Sequence, residues 1–274
     1  MRVGGVLALP IDVLRAIQAY TSVNKLLSCC SAGRELWPEL FCWSLVGDRA
    51  MEMYRYLQSP DNPESSECGR IMSLIRYPQH YLQLDLKENE DITDVSFLGN
   101  VHTLCFSGFN SISDVSALGH MHNLVLYCCS GISDVSALGN VHTLDLTRCT
   151  GISDVSALGH VHTLTLSGCT GISDVSALVN VHDLDLSHCI GIRDVSTLGN
   201  VHTLKLTCCT SIRDVSALIN VHDLDLSRCT GISDVSTLGH VHTLDLSEVA
   251  KYLGMAGFVG LFLANLFGHE DSTV

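Results

Sequence analysis

Three kinds of side chain in this 274-residue sequence have the type and spacing to do chemistry. Histidine recurs every twenty residues, at His102, His122, His142, His162, His182, His202, His222 and His242. His120, His160 and His240 each stand two places ahead of one of these and make His-x-His pairs. Imidazole is a zinc ligand, so a metal site is the first chemistry to weigh. A metal site needs three or four donors meeting at one point, whereas a ladder repeats because its unit repeats. The histidines are therefore read as a structural ladder, one ring per unit at the start of a strand, with no metal and no other cofactor. Stacked imidazoles should resist simultaneous protonation, because like charges close together disfavour the charged form.

Cysteine keeps the same interval, at Cys129, Cys149, Cys169, Cys189, Cys209 and Cys229. The sequence has no Cys-x-x-Cys and no cation pattern beside these thiols that would activate them. They are read as buried thiols that fill a turn and bond weakly to backbone. Aspartates stand two apart at Asp183 and Asp185, and again at Asp223 and Asp225. That spacing puts both carboxylates on one face of an extended strand. Close carboxylates suit general acid and base work. Nothing in the sequence supplies a nucleophile or an oxyanion site, so the pairs are read as a recognition surface and the chain as a non-enzyme.

The elements that must position these residues follow from the repeat itself. Eight complete twenty-residue units run from Tyr81 to His240, and a ninth starts at Val241 and departs from the pattern after Leu246. Apolar residues hold places 1, 4, 6, 9, 12, 15 and 18, for example Val141, Leu144, Leu146, Cys149, Ile152, Val155 and Leu158. Places 4 and 6 alternate with polar residues, which is strand spacing. Asp154 precedes Val155-Ser156-Ala157-Leu158, and its carboxylate suits the free N–H groups at the start of a helical turn. Each unit thus predicts a short strand, a turn and one tight 3₁₀-type turn. One unit buries too little to fold alone, so the units must stack and share a core. Place 19 is mostly glycine, but Val179 and Ile219 show that it needs no left-handed backbone. The same two exceptions reveal a forty-residue super-period, because each is followed by Val-His-Asp at the next unit's start.

The pattern V-x-x-L-x-L-x-x-C-x-x-I, as in Val141 to Ile152, resembles the leucine-rich repeats of the cysteine-containing type. The Asp-Val-Ser-x-Leu half is similar to the short repeats of bacterial internalins. Near-identical arrays of this kind also resemble repeat proteins of giant DNA viruses. The resemblance implies an α/β solenoid, a horseshoe of 20-residue units made of parallel strands and 3₁₀ turns. It also implies that polar places 3, 5, 7 and 8 face a concave surface that binds a partner. Those places hold Asp145, Arg148, Asp183, Asp185, His188, Lys205, Asp223, Asp225, Arg228 and Asp245.

Ahead of the repeats, residues 9–40 read LPIDVLRAIQAYTSVNKLLSCCSAGRELWPEL. Pro10 followed by Val13, Leu14 and Ile17 gives helical spacing after a proline start. The stretch resembles an F-box, through Leu-Pro, Asp-Val-Leu-x-x-Ile-x-x-Tyr, Leu-Leu and a basic residue near Trp37. The resemblance implies docking to a Skp-type adaptor of a cullin-RING (SCF-type) ubiquitin ligase. Leu9, Pro10, Leu14, Ile17, Leu26 and Leu27 would then carry that contact or its supporting core. A helical cap on the solenoid is the alternative. Residues 1–58 are taken as this small α-helical module, 59–80 as linker and entry, 81–248 as solenoid, and 249–274 as an apolar cap or tail.

Charge and composition narrow the partners. Lys and Arg number 15 against 29 Asp and Glu, a net charge of −14. Residues 1–80 balance, and the whole excess lies in the repeats. An acidic array repels phosphate backbones, so nucleic acid is not expected, and a basic protein surface is. Thirteen cysteines on a repeat ladder do not read as a secreted disulfide framework. With no signal peptide recognised, the chain is expected to be intracellular, cytoplasmic or nuclear, and monomeric. Tyr252 to Gly268 carry no charge over seventeen residues, the short limit of a membrane span, so membrane attachment through 252–268 stays open beside the cap.

Overall fold

A computed structural model describes residues 43–46, 48–58, 82–86 and 92–249. The F-box-like stretch with Leu9, Pro10, Leu14, Ile17, Leu26 and Leu27, and the segment 252–268, lie outside the described residues.

Alternation sets the strands. In Thr143-Leu144-Asp145-Leu146 the leucines are buried while Thr143 and Asp145 are partly open to solvent. The strands are β1 (Trp43–Val46), β2 (Leu82–Asp85), β3 (Thr103–Ser107), β4 (Asn123–Tyr127) and β5 (Thr143–Asp145). They continue as β6 (Thr163–Thr165), β7 (Asp183–Asp185), β8 (Thr203–Lys205), β9 (Asp223–Asp225) and β10 (Thr243–Asp245). All ten form one open parallel sheet in chain order. Leu144 pairs in register with Leu164, Leu164 with Leu184, and Leu184 with Leu204, so each coil advances by one repeat. Backbone bonds extend the ladder past the strands, as from Leu146 N–H to the Thr165 carbonyl at 2.8 Å.

The opposite side of each coil is a 3₁₀ turn, such as Ser156–Leu158 or Ser176–Asn180. The Ser156 N–H donates to Asp154 Oδ1 at 2.9 Å, and the same bond recurs in every coil from Ser96 to Ser236. An aspartate two residues ahead of the first residue of the turn therefore holds its open end, as the sequence leads one to expect. Place 19 is right-handed where it closes a turn, with φ −56° at Gly99 and −63° at Gly159. The sheet and the row of turns enclose one continuous core. All seven apolar places of the unit from Val141 are at most 2 % exposed.

The cysteine column has a specific task there. Cys149 Sγ donates to the Leu126 carbonyl at 2.8 Å, Cys169 to Leu146 at 3.1 Å and Cys229 to Leu206 at 2.9 Å. From Cys149 to Cys229 each thiol caps a carbonyl of the preceding coil, inside the core, where an unmatched oxygen would be costly, whereas Cys129 donates to Tyr127 of its own coil. Burial pushes the Cys169 thiol up to about 12 and Cys189 up to about 11, so both stay protonated and unreactive.

The start of the array differs from the repeat pattern, which opens the solenoid at Tyr81 and places residues 43–58 in a helical module. The sheet begins earlier, because β1 pairs parallel with β2, Trp43 opposite Leu82 and Val46 opposite Asp85. Helix α1 (Asp48–Gln58) follows β1 and buries Ala50, Met53 and Tyr54. The Tyr54 hydroxyl donates to the Asp94 carbonyl at 2.8 Å, and its ring lies 5.1 Å from that of Phe97. A solenoid needs its first open coil covered, and β1 with α1 meet that need.

Candidate functional site

The strand face is the surface where the coils differ from one another. Its polar residues fall into three columns, and the structure gives each a different setting.

Place 2 carries the histidines. Their rings stack from His102 to His242 with centroids 4.4–4.9 Å apart and planes within 7–18° of parallel. The spacing is that of the strands themselves, so the sheet sets the ladder. Each Nδ1 turns to the side chain at place 3: Thr103 at 3.0 Å, Asn123 at 3.0 Å and Thr143 at 3.3 Å. At His142, partial burial followed by the neighbouring rings of His122 and His162 lowers the pKa below the ordinary 6.5.

Place 3 changes in alternate coils. Asp183 and Asp223 replace the threonine of the intervening coils, Thr163, Thr203 and Thr243. Asp183 Oδ1 lies 3.1 Å from His182 Nδ1, and Asp223 Oδ1 lies 3.2 Å from His222 Nδ1. His162, His182 and Asp183 form one group of donors whose ligand atoms all lie within 4.8 Å of one another, and His202, His222 and Asp223 form a second. This corrects the reading of the histidines as a ladder without convergence. Two rungs do bring three donors together, because the carboxylate beside one ring also reaches towards the ring of the preceding coil. The signal was Val-His-Asp at 181–183 and 221–223, a deviation visible in the sequence but not joined there to the rings one repeat away.

Place 5 holds Asp145, Asp185, Asp225 and Asp245, with Thr165 and Lys205 between them. These carboxylates serve their own coils as well as the surface. Asp145 Oδ1 accepts from Thr147 N–H at 2.8 Å, Asp185 Oδ1 from Ser187 N–H at 2.9 Å and Asp245 Oδ1 from Ser247 N–H at 2.8 Å. Asp225 accepts from Ser227 N–H at 2.8 Å and, through its other oxygen, from the Thr207 hydroxyl at 2.7 Å. Sequence reasoning missed this task.

The paired carboxylates are not tuned as a proton-transfer dyad. Burial raises Asp183, but hydrogen bonds from Thr203 and His182 outweigh it and hold its pKa below the ordinary 3.8. Burial likewise raises Asp225, and bonds from Ser227 and Thr207 outweigh it, again leaving the pKa low. Both are anions at neutral pH, which suits the binding of cationic groups and not the donation of protons. Lys205 stands in register between Asp185 and Asp225 and moderates the acidity at mid-face.

Place 8 needs a second correction. Arg148, His188 and Arg228 were expected on the strand face, yet the strands of their coils end at place 5. These residues sit in the following turn with φ of 60°, 62° and 61°. Gly108 and Gly168 occupy the same place with φ of 80° and 75°. A left-handed residue there turns the chain out of the strand. Arg148, Gly168 and His188 line a shallow cleft there with Tyr127, Thr147 and Ser167. Positive charge therefore edges an acidic strip.

Solved structures that are similar to this chain include repeat proteins. An internalin, InlF, from Listeria monocytogenes matches at 21% identity and a TM-score of 0.39, over 72% of this chain and 80% of that one. Internalin C2 from the same species matches at 24% identity and a TM-score of 0.38, over 56% of this chain and 74% of that one. The leucine-rich repeat domain of the type III effector XopL matches at 14% identity and a TM-score of 0.39, over 92% of this chain and 95% of that one. No protein-family model and no curated protein matches the chain. The fold described above, parallel strands alternating with 3₁₀ turns in an open sheet, is that of a leucine-rich-repeat solenoid.

Proposed function

We propose that the chain is a non-catalytic binding scaffold whose strand face grips a basic protein segment. One observation carries this reading. The carboxylates at places 3 and 5 are concentrated in alternate coils, at 183 and 185 and again at 223 and 225, on an otherwise small and polar face. Strands about 4.8 Å apart put such coils about 9.6 Å apart. A polyproline II segment rises about 3.1 Å per residue with three residues per turn, so one laid across the strands with a basic residue at every third place would present those residues on one side about 9.3 Å apart, close to that interval. Complementary charge sets approach rate and register more than raw affinity. Binding should therefore weaken steeply with salt.

The test is fluorescence anisotropy with a labelled peptide carrying arginine at every third position. The double variant Asp183→Lys with Asp223→Lys should lose tenfold or more in affinity, about 1.4 kcal/mol or above. Equal binding by wild type and variant at low salt would remove the reading.

We further propose, from the F-box resemblance at residues 9–37, that the scaffold presents its client to an SCF-type ubiquitin ligase through a Skp-type adaptor, inside the cell. Adaptor capture by the intact chain, lost on Leu14→Asp with Ile17→Asp, would support it; no capture would leave a scaffold without a ligase link. One observation favours that plainer scaffold. Residues 43–58, at the end of the module, serve the solenoid as its first strand and covering helix.

A further inference from the structure

We propose that the histidine ladder holds two divalent transition-metal ions, of the zinc class, one at His162, His182 and Asp183 and one at His202, His222 and Asp223. Each group offers two imidazoles and a carboxylate, with donors within 4.8 Å of one another. Zinc binds such donors at about 2.0–2.2 Å, which places neighbouring donors of a tetrahedral site roughly 3.3 Å apart. His182 Nδ1 and Asp183 Oδ1 already stand 3.1 Å apart, and His222 Nδ1 and Asp223 Oδ1 3.2 Å. The ion takes the place of the proton that each histidine shares with its aspartate, and that proton moves to Nε2 of the same ring. The third donor comes from the preceding coil, whose ring centroid is 4.8 Å away for His162 and 4.7 Å for His202. His162 and His202 are exposed, and tilting their rings towards the ion gives up only a long contact to Thr163 at 3.3 Å or Thr203 at 3.4 Å. Water completes the fourth position.

The backbone keeps the donors together. The N–H groups of His182 and Asp183 both donate to the His162 carbonyl, at 3.0 and 3.1 Å. Those of His222 and Asp223 do the same to His202, at 3.1 and 3.0 Å. Donors on hydrogen-bonded neighbouring coils cannot drift apart without breaking the sheet. The Thr163 hydroxyl bonds the second oxygen of Asp183 at 3.5 Å and helps to aim the carboxylate. Imidazole with carboxylate suits zinc, nickel and copper more than calcium or magnesium. The acidic strip around the rungs raises the local concentration of any cation. At the remaining rungs the neighbour at place 3 is Thr103, Asn123, Thr143, Thr163, Thr203 or Thr243, none of which brings a negative oxygen. Two ions per chain, and not a continuous metal-loaded ladder, is the consequence.

The test is calorimetric titration of Zn²⁺ into the intact, reduced chain at pH 7.5, beside Asp183→Thr with Asp223→Thr. Threonine already occupies that place in neighbouring coils, so the variant keeps its fold. The wild type should take up two more ions than this variant, or the same number at least tenfold more tightly. A second variant, His182→Asn with His222→Asn, should lose the same uptake. Zinc should raise the wild-type Tm, because an ion bridging two coils binds the folded state alone, and should leave both variants unmoved. Equal uptake and equal Tm response in all three proteins would overturn the proposal, as would no uptake by the wild type at millimolar zinc.

Discussion

The two long sides of each coil obey different rules. On the 3₁₀ side, Asp-Val-Ser recurs without a change in all eight turns, from Asp94 to Ser236. On the strand side, place 5 runs through Cys105, Val125, Asp145, Thr165, Asp185, Lys205, Asp225 and Asp245. The difference tracks what each coil asks of its own residues. Every aspartate at place 14 holds the N–H of a serine two residues on, so a replacement without a side-chain acceptor opens a turn. Side chains at place 5 are only partly claimed by their coil, and where Thr165 or Lys205 stands the coil folds the same way. Uniformity therefore marks structure, and variation marks the surface left free to recognise something else.

The largest effect should come from breaking what both sides share. Leu164→Ala, in the middle of the leucine stack, should cost about 2–5 kcal/mol in chemical denaturation. Leu244→Ala should cost less, because Leu244 is only half-buried at the last strand. Equal losses would mean that burial along the array is not graded as described. Next in size is Cys189→Ala, which leaves the Leu166 carbonyl without the thiol that now donates from 3.2 Å. An unmatched buried acceptor should cost about 1–3 kcal/mol. A loss no larger than for an exposed site would show that the thiol is only filler.

Stronger acid, below the range in which the histidines titrate, should then act on the 3₁₀ side. Asp94, Asp114, Asp134, Asp154, Asp174, Asp194, Asp214 and Asp234 are each held below the ordinary 3.8 by bonds from the serine two residues on. A carboxylate whose folded pKa is depressed adds stability above its unfolded value and loses it as pH falls through the folded one. Thermal melts should thus hold steady from pH 7 to 5 with respect to these groups and drop below about pH 4. Replacing all eight with asparagine should flatten that drop; an undiminished drop would place the acid-sensitive groups elsewhere. The smallest effect belongs to the left-handed turn. Arg148→Gly should be neutral or stabilise by up to about 1 kcal/mol, and Arg148→Val should destabilise by about the same. Destabilisation by glycine would mean that the arginine side chain, and not its backbone, secures the turn.

The repeating core was legible in the sequence because each apolar place depends only on its own coil and the next. Leu144, Cys149 and Val155 lie where spacing alone puts them. What escaped was whatever breaks the period or crosses it. Trp43–Val46 and α1 belong to the solenoid through pairing and packing that no repeat announces. The left-handed turn was hidden by Arg148, His188 and Arg228, although Gly108 and Gly168 at the same place were the clue. The two His-His-Asp groups escaped because their members are adjacent on one coil and twenty residues apart across two. Periodicity shows that rings will align, but only the strand register shows which carboxylate meets them.

The most direct measurement compares one change on each side for both stability and binding. Asp183→Lys with Asp223→Lys alters the strand side, and Asp154→Ala with Asp174→Ala, which removes the acceptor, alters the turn side. Each is followed by thermal melting and by anisotropy with the arginine-spaced peptide. The expected result is a split: the strand-side variant loses binding with the smaller drop in Tm, and the turn-side variant loses more Tm at unchanged affinity. A strand-side variant that melts early yet binds normally, or a turn-side variant that melts normally yet fails to bind, would contradict the division of labour between the two faces.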